Sequence, residues 1–359
     1  MPADRSEVTG GEQAYREVER MLRAMDSAVS GLRSHQNKLD VLGNNIANVN
    51  TNGFKSQNYT FKDAMYQTSA ASSGGARNDT GTATIGGTNP SQFGYGSVQG
   101  AIATDFTSST PQYVGGFNAS INGSGFFITK AANSTVDLSG DHNTQANVEA
   151  DSVILKNANF NYTRVGQFTI DANGYMVDAN KNFVYGYQPT IPGENGVTAN
   201  NISDPTSYNE KKLVALRAPW KVSADGNNFE FEGGKALQLK SVQVDNDGII
   251  KATINNDNGD AMNIVLGKVA IAAFQNQEGL AKAGNNTFNT RVGDNTGLLT
   301  ATVPGGATPS LMGGYLEGSN VDLAKEFSDM ITTERGFQAN AKLITVSDEV
   351  LQELVNMKR

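Results

Sequence analysis

Apolar residues near the N-terminus recur at Met25, Val29, Leu32, Leu39, Leu42, Ile46 and Val49. Gaps of three, four and seven put them on one stripe of an α-helix. Arg23, Asp26, Arg33, Lys38 and Asp40 take the other faces. Asn52-Gly53 supplies a polar stop where a left-handed residue is wanted. The spacing predicts a helix over Met21–Phe54, whose roughly thirty helical residues would span about 45 Å at about 1.5 Å per residue. The stretch Asn320–Arg359 repeats the pattern: Leu323, Phe327, Met330, Phe337, Ala341, Ile344, Leu351 and Val355 step by threes and fours, interrupted by Glu334 and Asp348. That is a heptad seam. Ser319 or Asn320 can cap its start, Asp322 sits in its first turn, and Lys358 and Arg359 suit the dipole at its end.

Matching helices at the two ends predict an antiparallel coiled coil, with the middle of the chain projecting from one end of the pair. The alternative is that each helix packs on the middle, or that the two only close a monomer. Leu22, Val41, Ile331, Leu343, Val346 and Leu354 lie off the main seams. Leftover apolar faces on a helical pair imply further helices, most simply from copies of the same chain. A head-to-tail contact that does not close makes a helical filament.

The middle is rich in turn signals. Ala119–Lys130 reads as a hairpin about Asn122-Gly123. Tyr162–Tyr187 reads as a meander of three runs, Arg164–Ile170, Tyr175–Val177 and Phe183–Tyr187, with turns at Asp171–Gly174 and Asp178–Asn182. Leu239–Ile254 reads as a hairpin about Asn246-Asp247-Gly248, and Ile264–Phe274 as one strand buried on both faces. Thr68–Gly100 and Asn285–Gly314 are low in charge and rich in Gly, Thr and Asn, as in linkers. The fold class is therefore α+β, with long terminal helices pairing as an antiparallel coiled coil and a mainly antiparallel β-rich middle of one or two domains. The divisions read as a poorly structured leader at 1–20, either an extension or not native; an N-terminal helical segment at 21–70; a β-rich middle at 71–317, with a candidate inserted outer subdomain at about 188–234; and a C-terminal helix at 318–359.

Composition narrows the function. The chain has 359 residues and a net charge of −8, which argues against a nucleic-acid partner. No run of about eighteen apolar residues is present to span a membrane. The first twenty residues lack the apolar core of a secretory signal, so any export must proceed without a cleaved signal peptide. Absence of cysteine fits an ordinary cytosolic protein or one exported unfolded. His35 and His142 are the two histidines, and neither belongs to a nucleophile or acid–base constellation. His35 faces a neighbour or water. Asp171-Ala-Asn173-Gly and Asp245-Asn-Asp247-Gly lack the further ligand positions of calcium loops and read as turns. Gly123-Ser124-Gly125 lacks the third glycine of a nucleotide loop. No catalytic, cofactor-binding or metal-binding residue is assigned, and no cofactor is expected.

Five stretches carry a resemblance: SAVSGLRSHQNKLDVLGNNIANVNTNGFK (27–55), INGSGFFI (121–128), YTRVGQF with DANGYMVD (162–178), AIAAFQNQEGLAKAGNNTF (270–288) and EGSNVDLAKEFSDMITTERGFQANAKLITVSDEVLQELVN (317–356). In that order they resemble the bacterial flagellar axial proteins of rod and hook, and among them most closely the hook members. Phe61–Thr68, the closing stretch and the length of about 339 residues from Met21 (359 minus 20) favour hook over distal rod. The resemblance implies a structural subunit, exported without a cleaved signal peptide. It would polymerise at the flagellum into a curved extracellular tube that passes torque from rod to filament. It also implies rod proteins, a hook cap, hook–filament junction proteins and the flagellar export apparatus as partners. A distal-rod subunit is the alternative, and a secreted β-rich adhesin is the alternative of another class. Expected coiled-coil and subunit contacts are Met25, Val29, Leu32, Leu39, Leu42, Ile46, Leu323, Phe327, Met330, Phe337, Gln338, Ile344, Leu351 and Val355. Asn44, Asn45 and Asn48 either form a polar face running into a turn or, as the resemblance favours, hydrogen-bond between packed helices and fix their register.

Overall fold

Both amphipathic ends are helical. Helix α1 spans Arg5–Ala47, α2 spans Gln145–Asn157 and α3 spans Leu323–Met357. At 43 residues α1 is about 65 Å long. It runs back through residues 5–20, expected as a poorly structured leader with a short helix at Glu12–Arg20; Glu12, Gln13, Ala14, Arg16 and Glu17 there are helix formers. The polar stop acts earlier than expected, ending the helix at Ala47 and leaving Asn48–Gly53 as turns. Gly53 has φ +68°, and a Cβ there would lie 2.8 Å from Val165. The cap of α3 is neither Ser319 nor Asn320. Asp322 accepts from the amides of Ala324 (2.9 Å) and Lys325 (3.3 Å).

The computed structural model describes residues 5–77, 83–138, 144–189, 208, 211–218, 221–222, 229–230, 239–255, 261–306 and 308–357. Most of the candidate subdomain at 188–234, with Trp220, lies outside the described residues, as does His142. The chain forms two units. The helical unit gathers the chain up to residue 47, 57–104 and the chain from 321 onward. The β unit holds 48–56 and 105–320. The chain passes from one to the other after Ala47, Ser56, Thr104 and Asn320.

Within the helical unit, the stretch expected as a linker is a two-stranded ribbon. Strands β1 (Gln57–Asp63), β2 (Tyr66–Ala70), β3 (Ala76–Arg77), β4 (Ala83–Ile85), β5 (Ser91–Gly94) and β6 (Ser97–Thr104) pair as nested partners, β1 with β6, β2 with β5 and β3 with β4, all antiparallel. Its root lies on α1. The hydroxyls of Ser30 and Ser34 donate to the carbonyls of Tyr95 (3.2 Å) and Ser97 (3.0 Å).

The β unit is built on an antiparallel path of strands in the order 239–244, 249–255, 261–269, 183–187, 126–130, 161–163, 287–289, 281–284. Phe126 and Phe127 point to opposite faces of the central strand 126–130, so each nucleates its own apolar cluster. The predicted meander forms, 168–170 with 176–178 and 176–178 with 183–187. Asp171 and Asp178 hold its turns by accepting from backbone amides two and four residues on. The hairpin about Gly248 forms as well. Three expectations are corrected. Residues 119–122 and 126–130 are not a hairpin, since the first pairs with 310–313 and the second with 161–163, 183–187 and 271–274. Ile264–Phe274 is two strands, 261–269 and 271–274, which break at Ala270 to take different neighbours. Asn285–Gly314 is fixed structure containing strands 287–289, 299–302 and 310–313. Its loop is held by Asp294, whose carboxylate accepts from the hydroxyls of Thr290 and Thr296 and from Lys156 of α2. Burial pushes the Asp294 carboxyl up, but those hydroxyls and the amides of Arg291 and Thr296 outweigh it and hold it well below the usual range.

Candidate functional site

The helical pair is antiparallel, because Gly31 meets Asn340, His35 meets Gly336, and Asn45 meets Glu326. Glycine has a steric role at the crossing. A Cβ on Gly336 would stand 2.7 Å from the His35 ring, and one on Gly31 would stand 3.0 Å from the Asn340 amide. The residues of α3 that bury deepest are polar: Glu326 and Thr333. The contact seam is thus rotated from the predicted one. Met330, Phe337, Ile344 and Leu351 stay half-buried at its border, whereas Leu323, Phe327 and Val355 are 39%, 49% and 66% exposed. Gln338 is exposed and donates to Glu334. Ile331, Leu343 and Val346 are exposed as well. Leu323, Phe327 and Ile331 recur every fourth residue and form an open apolar flank on the first turns of α3.

On α1, Leu42 is buried, Met25, Leu32, Leu39 and Ile46 are half-buried, and Val29 is exposed. Val41, which reads as leftover in the sequence, is buried, whereas Leu22 is exposed. The asparagines divide. Asn45 is fully buried and its side-chain amide donates to Glu326 of α3 at 3.2 Å. Asn44 is exposed, and Asn48 sits past the helix end, where it accepts from the Thr51 hydroxyl and amide as a turn residue. His35 packs its ring 5.3 Å from Phe61 of β1, and its Nδ1 is buried without a hydrogen-bond partner. Burial first, then the neighbouring Lys38, depresses its pKa below the ordinary value.

A buried charge cluster, absent from the sequence expectations, lies in the β unit. Lys55 Nζ contacts Glu317 Oε1 at 2.8 Å and donates to the Thr107 carbonyl at 2.7 Å. Arg164 approaches the other oxygen, with Nε 3.5 Å from Glu317 Oε2, and donates to the Gly123 carbonyl. That 3.5 Å contact is electrostatic only, since neither atom makes a hydrogen bond. All three side chains are essentially inaccessible to solvent. Desolvation lowers the pKa of both cations, partly offset by Glu317. Two cations share one carboxylate. They tie residue 55, at the end of the first connecting segment, to residue 317, at the start of the last. Among the described residues no group of three or more His, Cys, Asp or Glu side chains could hold a metal, and no helix is long and apolar enough to cross a membrane.

Comparison with known proteins gives the pattern a setting. The description "Flagella basal body rod protein" matches residues 25–55, and "Flagellar basal body rod FlgEFG protein C-terminal" matches residues 312–357. These ranges hold all of α1 from Met25 onward and the whole of α3. The flagellar basal-body rod protein FlgG of Bacillus subtilis is 36% identical over 342 residues, covering 94% of this chain and 100% of that protein. The flagellar hook protein FlgE of Borreliella burgdorferi is 28% identical over 460 residues, covering 94% of this chain and all of that one. FlgE of Salmonella typhimurium is 29% identical over 434 residues, covering 93% and 100%.

Proposed function

Since the chain belongs to the flagellar rod and hook protein family, whose members are structural subunits of the flagellar axis, we propose that it polymerises as the hook subunit. The hook would be a curved extracellular tube passing torque from rod to filament. The observation that carries self-assembly is the apolar flank Leu323, Phe327 and Ile331, left open on a helix whose inner seam is polar. Copies of the same helices are its simplest cover. Rod proteins, the hook cap, the junction proteins and the export apparatus are the partners this reading brings. The hook assignment rests on Phe61–Thr68 and on the closing stretch 336–356.

A distal-rod subunit is the second reading. It is favoured by the alignment with the Bacillus subtilis rod protein, which fits in 342 positions where the hook relatives cited need 434 and 460. That comparison removes chain length as an argument for hook. Electron microscopy decides between the two. Cells lacking the chain should carry complete rods without hooks, and truncated rods would establish the rod reading instead. Purified protein at high concentration should form tubes; persistent monomers under every condition would count against both. The adhesin alternative falls with family membership.

A further inference from the structure

The chain changes unit four times, and within each unit one asparagine gathers the passages. In the β unit it is Asn320. Its Oδ1 accepts from the Ser56 amide at 2.7 Å, and its Nδ2 donates to the Asp105 carbonyl at 2.8 Å and reaches the Thr107 hydroxyl at 3.4 Å. Its own amide lies 3.5 Å from the Phe54 carbonyl. Asn320 thus stands at the last passage and holds the backbone of the second, after Ser56, and of the third, before Asp105. In the helical unit it is Asn45, two residues before the first passage. Its Oδ1 accepts from the Gln57 amide at 3.0 Å, and its Nδ2 donates to the Gln57 carbonyl at 2.9 Å and to Glu326. The consecutive amides of Ser56 and Gln57 are therefore bound by different carboxamides, one in each unit.

We propose that Asn320 and Asn45 are clamp residues that confine the second of these passages to the Ser56–Gln57 peptide. Each carboxamide uses both its acceptor and its donor on passing backbone, which holds neighbouring passages at a fixed spacing. The Lys55–Glu317–Arg164 cluster backs the clamp on the β-unit side by burying the residues next to Ser56 and Asn320. The clamp stands independently of the axial-subunit reading.

Amide exchange followed by NMR on the full, unassembled chain tests it, because both diagnostic amides are direct readouts. Asn320→Ala should speed exchange at Ser56 by about tenfold or more, the scale of losing one half-buried hydrogen bond, and leave Gln57 at its original rate. Asn320→Asp keeps the acceptor and should restore Ser56. Asn45→Ala should do the reverse, releasing Gln57 while Ser56 keeps its rate. Equal acceleration of both amides in Asn320→Ala, or none at either, would overturn the proposal. Tube formation is scored separately, so a chain that never polymerises leaves this result standing, and a chain that polymerises does not rescue it.

Discussion

At the scale of single residues, the consequential groups are buried polar ones with few alternatives. Glu317 is the carboxylate within ion-pair distance of both Lys55 and Arg164, with Asp105 acting on Lys55 from further away. Removing its charge strands two buried cations, whereas removing Lys55 still leaves the Arg164–Glu317 pair. Glu317→Gln should therefore destabilise the β unit by about 3–5 kcal/mol, and Lys55→Met by less. Denaturant midpoints compare them, and an equal or reversed order would show that Arg164 does not depend on Glu317. His35 makes a pH prediction. It is a base whose folded pKa is depressed below 6.5, so the folded state prefers it neutral. Its contribution is complete above the unfolded value near 6.5 and falls away as pH drops below it towards the folded value. Melting of the helical unit at pH 7.5 and pH 5.5 should show that loss, and His35→Phe should flatten it. The charge cluster does not stand out in the sequence. Lys55 and Glu317 are far apart in the chain and belong to no spacing pattern. Asn320 reads as a helix cap because Asp322, the actual cap, sits only two residues on.

At the scale of elements, what could be read in advance was whatever buries one face. The helices, the meander at 162–187 and the hairpin at 239–254 alternate or repeat because a core takes one side of each. The ribbon does not. Every residue of β2 and β5 is exposed, so neither face selects for apolar residues and no period of two appears. Its Gly-, Ser- and Thr-rich composition then looks like a linker. The seam of α3 shows the opposite effect. Apolar periodicity there marks the half-buried border of the seam, at Met330, Phe337, Ile344 and Leu351, and the open positions Leu323, Phe327 and Val355, because the deepest intramolecular contacts are made by Glu326, Thr333 and Gly336 with Asn45 and His35 opposite. This separates two classes of substitution. Phe327→Asp or Ile331→Asp, on the open flank, should leave the helical content of the monomer intact and abolish polymerisation. Ile344→Asp or Leu351→Asp, at the half-buried border, should weaken the helical pair itself. Circular dichroism with sedimentation distinguishes them, and normal tubes from Phe327→Asp would show that the flank is not an assembly surface.

At the scale of the whole molecule, the two units are stabilised by different means. The β unit holds two apolar clusters, with Phe126, Phe127, Ile128, Tyr162, Val184 and Ile271 all fully buried. Burial on that scale, roughly 1.5–3 kcal/mol for each large apolar side chain, gives it independent stability. The helical unit has few buried apolar residues, Ala28, Val41, Leu42 and Tyr59 among those described, and a long ribbon open to solvent. Helices in water depend on tertiary packing for most of their stability. A dilute sample should therefore melt in two steps, the helical unit first, with the 119–316 core persisting to higher temperature. If copies cover the flank of α3, raising the protein concentration should move only the first step upward, because a partner that binds the folded state stabilises it by mass action. Calorimetry over a hundredfold range of concentration, with NMR to assign each step, tests both halves. A single transition at a fixed temperature would mean that the helical unit needs no neighbour, and the case for assembly through α3 would fail with it.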